Sequence, residues 1–358
     1  MKTQEHYFHV LDAIRGMAAL VVMLRHTGYF WGNWTIPQSY LAVDLFFVLS
    51  GVVVANAYAS RLRGGMSTGR FALVRLIRLY PLYVLGSILG LLPVIAAVLG
   101  LLPASIQTPL PLVLLAAALM LPLVCEPNLF PLNSPSWSLF FELAANLAYA
   151  ALMRHLSGGV LAAIMLACAC GLALVLHADP GAGLHGGFSP DSMLVGLCRV
   201  GYGFFAGVLL LGQFNSRARA RMDGGAVRAG LCATLLLAVL LARPSAALRP
   251  WFDFVAVTVA FPVLIYLAMA CRLSGAAARA CALLGALSYP LYVLHVPLGR
   301  LVNGVLVKLP MAPVPVPWAG LAFVAVLLPL CWLIDRRADA PLRRWLLRRS
   351  GAAQKKSP

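Results

Sequence analysis

Arg15 and His26 stand eleven residues apart in Leu11 to Phe30, LDAIRGMAALVVMLRHTGYF, an apolar run long enough to cross a bilayer. A guanidinium binds anions, and an imidazole exchanges protons near neutral pH. At 100° per residue, eleven steps come within about 20° of whole turns and rise roughly 16 Å, so both side chains share one helix face at different depths. The run also carries Asp12 and Arg25. Each ionisable group costs roughly 2.5–3.5 kcal/mol near a membrane centre, whereas each Leu, Ile, Val or Phe returns about 0.3–0.6. The charges must therefore lie near the helix ends or face a polar interior. Arg25 lies about 80–100° off the Arg15 face and receives no role.

Four further stretches place polar residues on a single helical face. In Tyr40 to Ala59, Asp44 shares its face with Gly51 and Ala55, small residues that let another helix approach the acid. In Trp137 to Met153, Ser138, Glu142, Asn146 and Tyr149 fall within about 40° of one another. Ser288, Tyr292, His295 and Gly299 repeat that pattern, and Arg199 shares its face with Gly203 and Ala206. Arg75 and Arg78, in RFALVRLIRLYP, share a face just before the span that starts at Pro81, where they could grip a phosphate-rich ligand from the cytoplasm. The competing readings are that basic residues beside a span set topology, and that a membrane His or Glu simply bonds two helices. Five polar faces in one chain favour a site, since intramembrane ionisable groups are functional candidates by default.

Helices must carry these faces. The 358 residues are 61% hydrophobic and 11% charged, with a mean hydropathy of +0.88, so the expected fold is an all-α polytopic membrane helix bundle. The first run is too long and too charged for a cleavable signal peptide. A net charge of +17 raises the question of nucleic acid, but the basic residues are spread over short loops and the tail, as the positive-inside rule places them. No nucleic-acid partner is expected. The eight cysteines lack zinc-ligand spacing, and no metal is expected.

Eleven runs are candidate spans: Val10 to Phe30, Tyr40 to Ala59, Pro81 to Leu102, Pro109 to Cys125, Trp137 to Met153, Gly159 to His177, Met193 to Gly212, Ala226 to Ala242, Phe252 to Cys271, Cys281 to Leu301 and Val314 to Ile334. If ten cross and the short, proline-bracketed run Pro109 to Cys125 is re-entrant or interfacial, 21 Lys and Arg fall on the side of the N-terminus and four on the other. If that run crosses, the Arg217, Arg219, Arg221 cluster moves outside. The predicted architecture is about ten transmembrane helices over residues 1–334 and a short basic tail, 335–358, with an interfacial helix at Leu342 to Arg349. Both termini are expected in the cytoplasm. His26, Asp44, Glu142, Arg199 and His295 then belong to the outer half of the membrane, and Arg15, Arg75 and Arg78 to its inner surface.

Five ordered segments resemble the acyltransferase 3 family, integral membrane enzymes that acylate cell-surface glycans and related molecules. They are LDAIRGMAALVVMLRH with Arg15 and His26, LAVDLFFVLSG at 41–51, RLIR at 75–78, PSWSLFFE at 135–142 and LSYPLYVLHVPL at 287–298. Many relatives carry a pair of acids after the Trp-Ser-Leu segment, where this chain has Glu142 followed by Leu143. The resemblance implies transfer of an acyl group, expected to be acetyl, from cytoplasmic acyl-CoA to a hydroxyl of a cell-surface or lipid-linked carbohydrate. Acyl-CoA, expected to be acetyl-CoA, would be a co-substrate, with no tightly bound cofactor. Arg75 and Arg78 would hold the nucleotide end of CoA, with Arg15 further along the thioester arm. His26 would act as general base with Asp44 or Glu142 orienting it, and an acyl-His intermediate stays open. Arg199, Ser288, Tyr292 and His295 would bind substrate.

The resemblance also implies the bacterial inner membrane, with membrane lipids as surroundings, and the form without the C-terminal esterase-like domain that some members carry. The alternative is a secondary transporter of an anionic small molecule. The lack of a visible repeat and the placement of the anion-binding pair on one side count against it.

Overall fold

The computed structural model describes residues 7–100, 106–181, 183–217, 225–308 and 317–351. Lys2, Leu102, Arg219, Arg221, Val314 and the tail past Gly351, all used in the charge and span assignments, lie outside the described residues. The helices in order are α1 (His9–His26), α2 (Ala42–Arg63), α3 (Thr68–Val98), α4 (Leu110–Leu119), α5 (Ser136–Leu152), α6 (Gly158–Ala178), α7 (Met193–Arg217), α8 (Ala226–Leu241), α9 (Arg249–Val255), α10 (Phe261–Met269), α11 (Gly275–Lys308), α12 (Trp318–Ile334) and α13 (Ala340–Arg349). A π turn at Ala256–Ala260 joins α9 to α10, and another at Asp335–Asp339 joins α12 to α13. No strand occurs among the described residues.

Among the described residues, seven helical segments are long and apolar enough to cross a bilayer, and the chain is a polytopic helical membrane protein. α1, α5 and α8 have 18, 17 and 16 residues, about 24–27 Å of rise. α3 departs from the sequence expectation. It begins at Thr68, capped by Ser67, whose Oγ accepts from the Arg70 N–H, and it runs through Pro81. Arg75 and Arg78 therefore sit inside a helix of 31 residues rather than ahead of one. Proline is tolerated within membrane helices when neighbours satisfy the freed carbonyl, so Pro81 did not mark a start.

α4 has ten residues, about 15 Å against a hydrocarbon core of about 30 Å. It runs back along α3. Val113 clusters with Val94, while the Ala117 and Ala118 carbonyls accept from the Tyr83 and Tyr80 hydroxyls at 2.8 and 2.5 Å. Met120, at φ 55°, closes the helix, with its N–H on Ala117 and the Leu121 N–H on Ala116. The chain then climbs again and brings Leu132 against Gly90. This is a re-entrant hairpin.

Helix direction supports the same count. Arg15 meets Gly285 and Ser288, and His26 meets His295, so α1 and α11 run parallel. Asp44 meets Arg199 and Gly51 meets Gly207, so α2 and α7 run parallel too. Each pair needs an odd number of crossings between its members, which holds when α4 turns back and fails when it crosses. Small residues bring these helices together: a Cβ on Gly51 would strike the Phe204 carbonyl, one on Gly207 the Val48 carbonyl, and one on Gly16 the backbone of Leu284.

Pro297 has no N–H to give to the Val293 carbonyl, and the buried Asn133 Nδ2 supplies the missing donor at 2.9 Å. Pro262 leaves the Thr258 carbonyl in the same state, and the Tyr202 hydroxyl fills it at 2.7 Å. Asn133→Leu is expected to lower stability by about 1–3 kcal/mol by stranding the Val293 carbonyl. A thermal melt of the detergent-solubilised protein that matches the parent would remove this role.

Candidate active site

α1 and α11 form the most extensive helix pair, and the first polar cluster lies at its N-terminal end. Arg15 Nε donates to Ser288 Oγ at 2.9 Å, and Arg15 Nη2 donates to Asp12 Oδ1 at 2.8 Å and to the Gly285 carbonyl at 3.0 Å. Arg15, Arg75, Arg78, Glu142, Ser288 and Tyr292 line one cavity of about 160 Å³. Arg75 Nη2 donates to Glu142 Oε1 at 3.2 Å, and Ser50 Oγ donates to the same oxygen at 2.7 Å. Arg78 lies over the Tyr289 ring, 5.6 Å from its centroid. Three guanidinium groups and one carboxylate, Glu142, line the cavity, with Asp12 paired to Arg15 beside it, and Arg75 Nε is buried with no hydrogen-bond partner among the described residues. An anionic ligand would satisfy that donor.

Tyr292 links this cavity to the second cluster. Its hydroxyl is 2.6 Å from Ser138 Oγ, and its ring meets that of His295 edge-on with centroids 6.1 Å apart. His295 is fully buried and His26 is exposed. His295 Nδ1 lies 2.9 Å from the Leu291 carbonyl, and His26 Nδ1 lies 3.0 Å from the Val22 carbonyl and 3.1 Å from His295 Nε2. A carbonyl only accepts, so both Nδ1 atoms carry hydrogen in the neutral pair. His295 Nε2 is then an acceptor for His26 Nδ1–H, and the lone pair of His26 is left on Nε2. The buried imidazole fixes the tautomer of the exposed one.

The remaining sequence-derived residues lie elsewhere. Asp44 and Arg199 form an enclosed pair, each about 1% exposed: Arg199 Nε to Oδ1 at 2.9 Å and Nη2 to Oδ2 at 2.6 Å. Arg199 also donates to the Gly186 carbonyl through Nη1 and the Tyr40 carbonyl through Nη2, and it sits 5.5 Å from the Trp137 ring centroid. Neither carboxylate considered as an orienter bonds His26. Asp44 is committed to a buried guanidinium, and Glu142 belongs to the arginine cavity because Arg75 lies inside α3. Ser288 and Tyr292 line that same cavity, while Arg199 has no surface to offer a ligand.

Sequence reasoning missed the pairing of His26 with His295, which the i, i+7 spacing from Ser288 placed on the correct face without naming its partner. It also missed Ser50, seen only as part of LAVDLFFVLSG, and His185, a lone loop histidine whose Nε2 lies 3.0 Å from Arg25 Nη2.

The bundle and its polar axis along α1 and α11 define a polytopic membrane protein with ionisable groups inside its helices. Over residues 8–336 the chain matches the acyltransferase 3 family, described as an acyltransferase domain, and it belongs to that family. It is an integral membrane acyltransferase. It is also similar to "Protein 2 in picA locus" of Rhizobium radiobacter, 44% identical over 156 residues that cover 40% of this chain and 81% of the relative. No solved structure matches.

Proposed function

We propose that the enzyme takes an acyl group, acetyl in the simplest case, from acyl-CoA bound at the arginine cavity and delivers it to a carbohydrate hydroxyl at His26. The observation that carries this reading is the placement of Arg15 and His26 at opposite ends of one helix face, roughly 16 Å apart. Arg75 and Arg78 bind phosphate, and Arg15 steadies the arm that runs along α1 toward Tyr292. His26 Nε2 accepts the hydroxyl proton as the oxygen attacks the thioester carbonyl; the C–S bond breaks, and the proton passes to the departing CoA sulfur. His295 holds His26 in the tautomer that leaves Nε2 free. The positive-inside bias supports a cytoplasmic side for the arginine cavity and both termini, with the histidines facing out, and the family supports a bacterial inner membrane as the setting.

Arg75→Ala combined with Arg78→Ala should raise the apparent acyl-CoA requirement about tenfold or more, the value of a charge-assisted phosphate contact or two. An unchanged requirement would return both residues to topology signals. Mass spectrometry of surface polysaccharide from cells with and without the enzyme should show acetyl groups that depend on it. Equal acetylation would remove the carbohydrate from the proposal.

A further inference from the structure

A second, larger cavity of about 640 Å³ lies at the His26 end of α1. Arg25, Tyr40, His185, Arg243 and Arg249 line it, drawn from α1, the α1–α2 connection, the loop before α7, the α8–α9 connection and α9. No carboxylate lines it. The nearby Asp253 accepts from the Tyr40 hydroxyl at 2.7 Å and the Leu184 N–H at 2.9 Å, and Asp179 lies two residues before Gly181 at the rim.

Arg25 is held in place by uncharged groups. Its Nη1 donates to Ser39 Oγ at 3.2 Å, its Nη2 donates to His185 Nε2 at 3.0 Å, and it lies 5.5 Å from the Tyr40 ring centroid. A guanidinium only donates, so His185 Nε2 is unprotonated and adds no charge. Arg15, Arg75 and Arg199 each meet a carboxylate, and Arg25 meets none among the described residues. A preorganised guanidinium without a counter-charge, facing a cavity with two more, is a binding site for an oxyanion.

We infer that this cavity selects the acceptor: an anionic carbohydrate whose carboxylate or phosphate pairs with Arg25, Arg243 and Arg249 while a neighbouring hydroxyl is presented to His26, one residue along α1. The inference rests on the proposed acyl transfer for the role of the site, but binding itself can be measured without it. Isothermal titration of the purified protein in phosphatidylcholine nanodiscs, without acyl-CoA, would compare a glucuronate oligosaccharide, glucose 1-phosphate and a neutral glucose oligosaccharide of matched length.

The expected result is that at least one anionic sugar binds about tenfold or more tightly than the neutral one, and that Arg25→Gln and the exposed Arg243→Gln each remove about tenfold of that affinity. The stronger of the two anionic sugars identifies carboxylate or phosphate as the ligand. Normal binding with no transfer in the parent protein would sink the transfer step and leave the cavity standing. Equal affinity for neutral and anionic sugars would overturn the inference, as would unchanged binding in both arginine variants. Loss of sugar binding in phosphatidylglycerol nanodiscs would also overturn it, by making the cavity a lipid headgroup site.

Discussion

His26→Ala is expected to lower acyl transfer by about 10²–10⁴-fold, the range of a positioned general base, while the protein accumulates in the membrane at the parent level. Stability should be little affected, because His26 is exposed and its polar partners are the Val22 carbonyl and His295. His26→Gln should fail equally, since an amide nitrogen cannot take the hydroxyl proton. His295→Ala tests the positioning step. It leaves Nε2 of His26 in place but frees the ring to turn, and loss of orientation of this size can cost about 10²-fold. That loss should appear in kcat, with the KM for acyl-CoA unchanged, because the arginine cavity lies at the other end of α1. Parent-level transfer by His26→Ala would remove His26 from the mechanism. A changed acyl-CoA KM in His295→Ala would mean that the two clusters are not independent.

Arg199→Met is expected to cost about 3–5 kcal/mol of stability, because it leaves the Asp44 carboxylate buried without its counter-ion. The double variant Asp44→Leu with Arg199→Met removes both charges and should recover part of that loss. Recovery stays incomplete because the Gly186 and Tyr40 carbonyls still lack a donor, about 1–3 kcal/mol where water cannot reach them. The pair acts by clamping α2 and α7 to the loops at the His26 end, so the double variant should retain transfer in proportion to the folded protein. A well-folded double variant without activity would give Asp44 or Arg199 a chemical role instead. Thermal melts in detergent and label transfer per folded molecule separate the two outcomes.

The elements were legible in the sequence to the extent that hydropathy and charge define them. Eleven apolar runs correspond to α1–α12, and the proline-bracketed run at 109–125 contains the hairpin that turns back, as the charge distribution required. Periodicity exposed the faces. Arg15 and His26 do look toward α11, and Ser288 and His295 look back, while Tyr292 turns to Ser138 on α5. What periodicity cannot supply is the partner across a helix interface. Asp44 and Arg199 are 155 positions apart, and their pairing follows from the parallel packing of α2 on α7, which the spacing of small residues permitted but did not dictate.

The depth of Glu142 was misjudged for a related reason. Pro81 reads as a helix boundary in the sequence, which puts Arg75 at the inner membrane surface and Glu142 in the outer half, whereas α3 runs through Pro81 and brings the two side chains together. His185 carried no pattern. A single histidine in a glycine-rich loop acquires meaning only when folding brings Arg25 to it.

The most direct test supplies labelled acetyl-CoA to the outside of inverted membrane vesicles, where the cytoplasmic face is exposed, and measures label on carbohydrate recovered from the lumen. Transfer across the membrane through the α1–α11 axis predicts lumenal labelled carbohydrate from parent vesicles, background label from His26→Ala vesicles, and a raised acetyl-CoA requirement in the Arg75→Ala, Arg78→Ala variant. Full lumenal labelling by His26→Ala, or label that arises only when acetyl-CoA is placed on the lumenal side, would contradict it.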